Sequence, residues 1–224
     1  MLSFLSVDNV AFVVFGYPMS YVELIGTVLY LWSVWLISKR RILTWPVGII
    51  SVLLYMVLFY QIRLYSDVLE QVYYLGASVY GWIVWNRSIQ DDGKIEDVSY
   101  GNRSSIAFWI VLTLIFSMFV GALMARIHIF LPAVFPEAAS FPYLDALTTI
   151  MSFTAMWLMA RKRIESWFYW IIVDCIGIWL YFVKDVKFVA LLYAILLVMA
   201  LNGLRSWNLT RIQTISERSA YEGS

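Results

Sequence analysis

Residues 21–86 align without a gap to residues 143–208, at a fixed offset of 122 (143 − 21 = 122). Tyr21 pairs with Tyr143, Trp35 with Trp157, Arg41-Ile42 with Arg163-Ile164 and Trp45 with Trp167. Ile49-Ile50 pair with Ile171-Ile172, Gly81 with Gly203 and Trp85-Asn86 with Trp207-Asn208, giving 15 identities among the 66 pairs. One supersecondary unit made twice buries its apolar face against its copy. In an apolar chain, two copies of a three-helix unit are the ground plan of a membrane transporter.

The chain is that apolar. Its 224 residues are 62% hydrophobic and 14% charged, whereas a soluble domain holds about a quarter charged residues. One water-facing core does not absorb such a surplus, so most of the chain is expected to face lipid. A net charge of +1 points to no nucleic acid or other polyanion partner. A single cysteine, Cys175, excludes an internal disulfide, and a single histidine, His128, excludes a multi-histidine metal site. Residues 1–18 lack a basic segment and a cleavage site, so no removed signal peptide is expected.

A membrane helix needs about 17–25 mostly apolar residues. Seven candidate spans follow: 21–38, 44–60, 66–86, 105–125, 143–160, 167–183 and 187–205. The expected fold is all-α, with two parallel three-helix repeats (21–86 and 143–208) joined by a fourth helix, a 3+1+3 plan like that of the SWEET sugar carriers. Residues 1–20 form an N-terminal segment, with 4–15 read as an interfacial helix too short to cross. Residues 87–142 hold a polar loop, the linker helix 105–125 and an outer loop; 209–224 form a cytoplasmic tail. With the N-terminus outside, twelve Arg and Lys fall on inside segments and four on outside ones, as the positive-inside rule requires. The basic triplets 39–41 and 161–163 are repeat equivalents, so both repeats face the same way and the odd fourth span restores direction.

A charge near the bilayer centre is costly and marks a pathway or site. Asp174 lies in the middle of the sixth span, where the first repeat has Val52. Trp170, Asp174, Gly177 and Tyr181 share one helix face, with Trp167 one turn before Trp170. An acid among aromatic rings suits an organic cation, through charge and cation–π attraction. The competing reading pairs Asp174 with Lys184 or a backbone group, as helix packing. In the third span Gln71 offers donors and an acceptor, and Asn202 in the seventh is similar; either polar group also serves simply to join neighbouring helices. Glu70 sits about one turn from the outer surface, where solvation is the simpler reading. Trp82, Trp85 and Trp207 sit near the inner surface, where belt anchoring is expected. No phosphate loop, H-E-x-x-H or G-x-S-x-G pattern is present, so enzyme activity, a metal and a cofactor are not expected.

Several segments together resemble the PnuC-type vitamin transporters of bacteria. They are Phe59-x-Gln61-Ile62-x-Leu64-Tyr65, Gln71, Tyr80-Gly81-Trp82-x-x-Trp85, Arg161-Lys162, Trp167-x-x-Trp170 and Leu201-Asn202-Gly203. The resemblance runs from about residue 20 to 208. It implies seven spans in two bundles, a site between them near mid-membrane, and facilitated diffusion of nicotinamide riboside across the bacterial inner membrane. It also implies trapping by a cytoplasmic kinase. One position departs: W-x-x-W-x-x-x-N is common in the sixth span, and this chain ends the motif on Asp174. Nicotinamide riboside and thiamine are both flat cations and suit an acid; riboflavin and deoxynucleosides suit it less. Phe141-Pro142-Tyr143-Leu144-Asp145 resembles the nicotinamide riboside branch.

The expected function is therefore import of nicotinamide riboside by alternating access, with substrate contacts from Gln71, Trp167, Trp170, Asp174, Tyr181 and Asn202. The alternatives are thiamine or another B-vitamin or nucleoside on the same fold, with thiamine not separable by sequence alone, and a membrane scaffold that moves nothing. The repeat argues against the scaffold, which has no need of two bundles. Oligomeric state stays open.

Overall fold

The computed structural model describes residues 5–14, 16–92, 98–130 and 140–222. Seven helices follow a short hairpin: α1 (Tyr21–Ser38), α2 (Thr44–Gln61), α3 (Tyr65–Asp92), α4 (Arg103–Phe130), α5 (Pro142–Ala160), α6 (Ser166–Val183) and α7 (Lys187–Glu222). Their starts follow local chemistry. Ser20 caps α1 by accepting from the Glu23 N–H at 3.3 Å, an S-x-x-E capping arrangement, and Pro142 opens α5, where its missing N–H costs nothing.

Five helices, α1, α2, α4, α6 and the first part of α7, are long and apolar enough to cross a membrane. The other two, α3 and α5, carry the polar residues Asp67, Glu70, Gln71, Thr148, Thr149 and Ser152. These two helices pack against each other. Thr149 donates to Glu70 at 3.1 Å and Tyr73 to the Phe153 carbonyl at 2.7 Å. Part of their polarity is thus paired across the α3–α5 contact.

Pairwise packing closes a circuit: α1 on α2, α2 on α3, α3 on α5, α5 on α6, α6 on α7, and α7 back on α1. Helix α4 packs on α5, where Thr113 and Thr154 hydroxyls meet at 2.9 Å. The sequence repeat reappears in the backbone. Among the described residues, four non-glycine residues have positive φ: Arg40 (56°), Arg63 (62°), Lys162 (57°) and Asp185 (58°). They are two pairs at the repeat offset (40 + 122 = 162; 63 + 122 = 185). Each follows a helix end closed by the same reverse bond: Arg41 N–H to Leu36 O and Arg163 N–H to Leu158 O, Leu64 N–H to Phe59 O and Val186 N–H to Tyr181 O, all 2.9 Å. A left-handed residue after a helix is uncommon outside glycine, so its recurrence at matched positions is a shared turn design.

Two expectations are corrected. Within 4–15, the described residues form no helix: Val10–Val14 and Tyr17–Ser20 are the antiparallel strands β1 and β2. The β-branched run Val10, Val13, Val14 favours strand, and Gly16 turns the chain at φ 83°. Gln61 holds the segment leading into the hairpin by donating to Leu5 O at 2.7 Å and accepting from Val7 N–H at 3.2 Å. Second, α7 does not stop near 205 but runs on through the tail to Glu222, since no glycine or proline after Gly203 interrupts it before that point.

Candidate functional site

Asp174 sits midway along α6 and is 3% exposed. Its carboxylate makes no hydrogen bond or ion pair with any described residue. Lys184 does not neutralise it: Lys184 pairs with Asp145 at 3.7 Å and lies over the Phe141 and Tyr181 rings. The reading of Asp174 as a Lys184-paired packing residue is thereby removed.

Tyrosines lie within electrostatic range of the carboxylate. Tyr30 of α1 and Tyr193 of α7 lie close enough for its charge to act on their hydroxyls. Tyr181 stacks on Tyr193, centroids 5.4 Å apart and planes 19° apart. Tyr74 of α3 meets Phe153 of α5 edge-on, centroids 5.8 Å apart. Gly177, one turn beyond Asp174, lets Tyr193 in, because a Cβ there would collide with its ring. Glu70 is half-buried and accepts from Thr149, so it is not merely solvated. Four helices, α1, α3, α6 and α7, thus carry two acids and four tyrosines, a composition suited to a flat, positively charged organic molecule with hydroxyl groups.

The expected site residues divide. Asp174, Tyr181 and the half-buried Trp170 lie along the α6 face. Gln71 is half-buried on α3, at the position that the repeat maps onto Tyr193 (71 + 122 = 193). Trp167, 1% exposed, belongs to a buried cluster below, against Gly203 and Trp207. Asn202 is exposed on α7. Tyr30, Tyr74 and Tyr193 did not stand out in the sequence. The repeat carried a signal for Tyr193, since its partner Gln71 had been singled out.

The tryptophan belt is corrected in part. Trp82 is 43% exposed, as a belt residue should be, but Trp85 and Trp207 are both 0% exposed. Trp85 donates to Ala160 O and Trp207 to Ile37 O, each at 3.1 Å. Trp45 meets Trp85 edge-on at 5.4 Å and Trp167 meets Trp207 edge-on at 5.5 Å. Gly81 leaves room for Trp45 as Gly203 does for Trp167. No group of three or more His, Cys, Asp or Glu side chains able to hold a metal occurs among the described residues.

Comparison with known proteins gives the same fold and wider kinship. The chain is 30% identical over 207 residues to the nicotinamide riboside transporter PnuC of Escherichia coli, covering 86% of this chain and 87% of that one. It is 28% identical over 202 residues to the riboflavin/roseoflavin transporter RibM of Streptomyces davaonensis, covering 89% and 90%. The crystal structure of the vitamin B3 transporter PnuC superposes with a TM-score of 0.62 at 20% identity, over 86% of this chain and 83% of that one. The model of the nicotinamide mononucleotide transporter family matches residues 20–209. That match spans both repeats and the helix between them, and the chain belongs to this family of multi-pass membrane transporters.

Proposed function

We propose that the protein imports nicotinamide riboside by facilitated diffusion. The observation that carries this reading is Asp174: a carboxylate buried at mid-helix, with no hydrogen bond or ion pair to a described residue, suits a cationic ring. Trp170, Tyr181 and Gln71 line the cargo with it, and Trp167 lies beneath. The relatives named for nicotinamide riboside support the choice. The test is uptake of labelled nicotinamide riboside into proteoliposomes holding the full chain. The expected result is equilibration without ATP or an imposed ion gradient, because Asp174 is occupied by the cargo's charge. Accumulation above equilibrium, driven by protons or sodium, contradicts it. A cytoplasmic kinase that phosphorylates the cargo would trap it after entry.

The mechanism that fits this reading is alternating access in the bacterial inner membrane. The units 21–86 and 143–208 are two parallel three-helix bundles, α4 joins them, and all seven helices span. Matched turns and the closed packing circuit support it, since two like bodies in contact along two seams can rock about a site between them. The N-terminus is outside and the C-terminus cytoplasmic, from the twelve-to-four distribution of basic residues. An impermeant thiol reagent added to intact cells is expected to reach a cysteine placed at Asp185 and to miss one at Arg103. The reverse pattern contradicts this topology.

A second reading is riboflavin, favoured by the likeness to RibM. Asp174 argues against it, because a neutral ring gives an unpaired carboxylate nothing in return for its burial. Competition of unlabelled riboflavin against labelled nicotinamide riboside separates the two.

A further inference from the structure

We propose that Trp45, Trp85, Trp167 and Trp207 form the inner closure of the transport path, and that the indole N–H groups of Trp85 and Trp207 are the two latches holding it shut. This rests on the alternating-access reading above. The cluster lies at the end of the helices that carries the α1–α2 and α5–α6 turns. Trp167 is seven residues from Asp174 on α6, about 10 Å along a helix rising 1.5 Å per residue. The four rings are 0–2% exposed, and Trp85 and Trp207 approach to 6.3 Å.

The roles of the four differ. Trp45 rests on Gly81 and Trp167 on Gly203, each within its own half, and neither indole N–H has a hydrogen-bond partner. Trp85 and Trp207 reach across. Trp85 of the first half donates to Ala160 O at the end of α5, and Trp207 of the second half donates to Ile37 O near the end of α1. Both acceptors are among the last carbonyls of a helix; the Ile37 carbonyl also accepts from the Arg40 N–H at 2.9 Å in the turn that ends α1. Each bond therefore joins two bodies and braces neither one internally. Parting the halves at this end breaks both, while the Trp45–Gly81 and Trp167–Gly203 contacts travel with their own half. Packed interfaces of this kind switch between discrete arrangements, so the latches set how often the inner end opens.

The test uses the full chain in detergent micelles, with Cys175→Ser and a reporter cysteine at Ala200, which is 2% exposed and packs within the cluster. A water-soluble maleimide reads its opening. Trp85→Phe and Trp207→Phe are each expected to raise the labelling rate about fivefold, equivalent to about 1 kcal/mol for one lost hydrogen bond. Trp45→Phe removes the same ring bulk but no hydrogen bond, and is expected to stay within about twofold of the unmodified rate. A rise of equal size in all three variants, no rise in any, or a rise in only one latch variant overturns the proposal. Should one latch variant fail to fold, the other reads the same comparison with Trp45→Phe. Labelling is read without cargo, so the two claims fail separately. A latch-specific rise with no flux in liposomes rejects the transport reading and keeps the latches; flux without the rise rejects the latches alone.

Discussion

Replacing Trp170 with alanine is expected to weaken nicotinamide riboside binding by about 1–3 kcal/mol, about five- to 150-fold in Kd. Two effects act together. The ring is half-buried one helical turn from Asp174, on the face that carries Tyr181, so a cationic ring held at the carboxylate lies against its indole. A desolvated cation–π contact contributes up to about 2 kcal/mol. Trp170 also packs on the buried tryptophan cluster, and truncation leaves a gap beneath the cargo that the rigid rings below do not fill. The control is Trp82→Ala. Trp82 is 43% exposed, and its loss is expected to change Kd less than about twofold, since an exposed aromatic carries little of a buried site's energy. Calorimetric titration of both variants checks the pair. Equal losses would mean that Trp170 does not touch the cargo.

Much of this architecture is legible in the sequence because the identities between repeats fall where the backbone is most constrained. Arg41-Ile42 and Arg163-Ile164 follow the left-handed residues Arg40 and Lys162. The pairs Trp45/Trp167 and Gly81/Gly203 are matched ring and groove. Helix limits at α1, α2, α5 and α6 follow from those turns. The N-terminal hairpin escaped because a short apolar run has no period that separates strand from helix. The extension of α7 escaped because hydropathy marks where a helix leaves the membrane and says nothing of where it ends.

The site was half legible. Asp174 is visible because an acid is expensive in a membrane span. Tyr30, Tyr74 and Tyr193 are not, because tyrosine is common in such chains and their repeat partners Ser152, Leu196 and Gln71 differ from them. Only tertiary packing gathers them. Trp85 and Trp207 were misplaced for a related reason. Their position near the end of a span suits a belt, and nothing local reveals that each indole finds a carbonyl on the opposite half.

Asp174→Asn is expected to cost cationic cargo about tenfold in affinity, about 1.4 kcal/mol, the scale of one pKa unit of differential interaction. Two opposing effects set that size. A carboxylate a few ångströms from a fixed cation gains more than an amide dipole does, and the difference widens in a dry site. Against this, an empty site must hold a desolvated carboxylate with no partner, and asparagine removes that cost while still offering a hydrogen bond to a carboxamide or ribose hydroxyl. The loss is therefore moderate, and its dependence on ligand charge is what identifies the role of Asp174. The most direct measurement compares nicotinamide riboside with its uncharged reduced form on the unmodified protein and on Asp174→Asn. The account predicts a loss of about tenfold for the cation and little change for the neutral form. Equal changes for both ligands would show that Asp174 does not read charge, and would contradict the assignment of this site to a cationic vitamin.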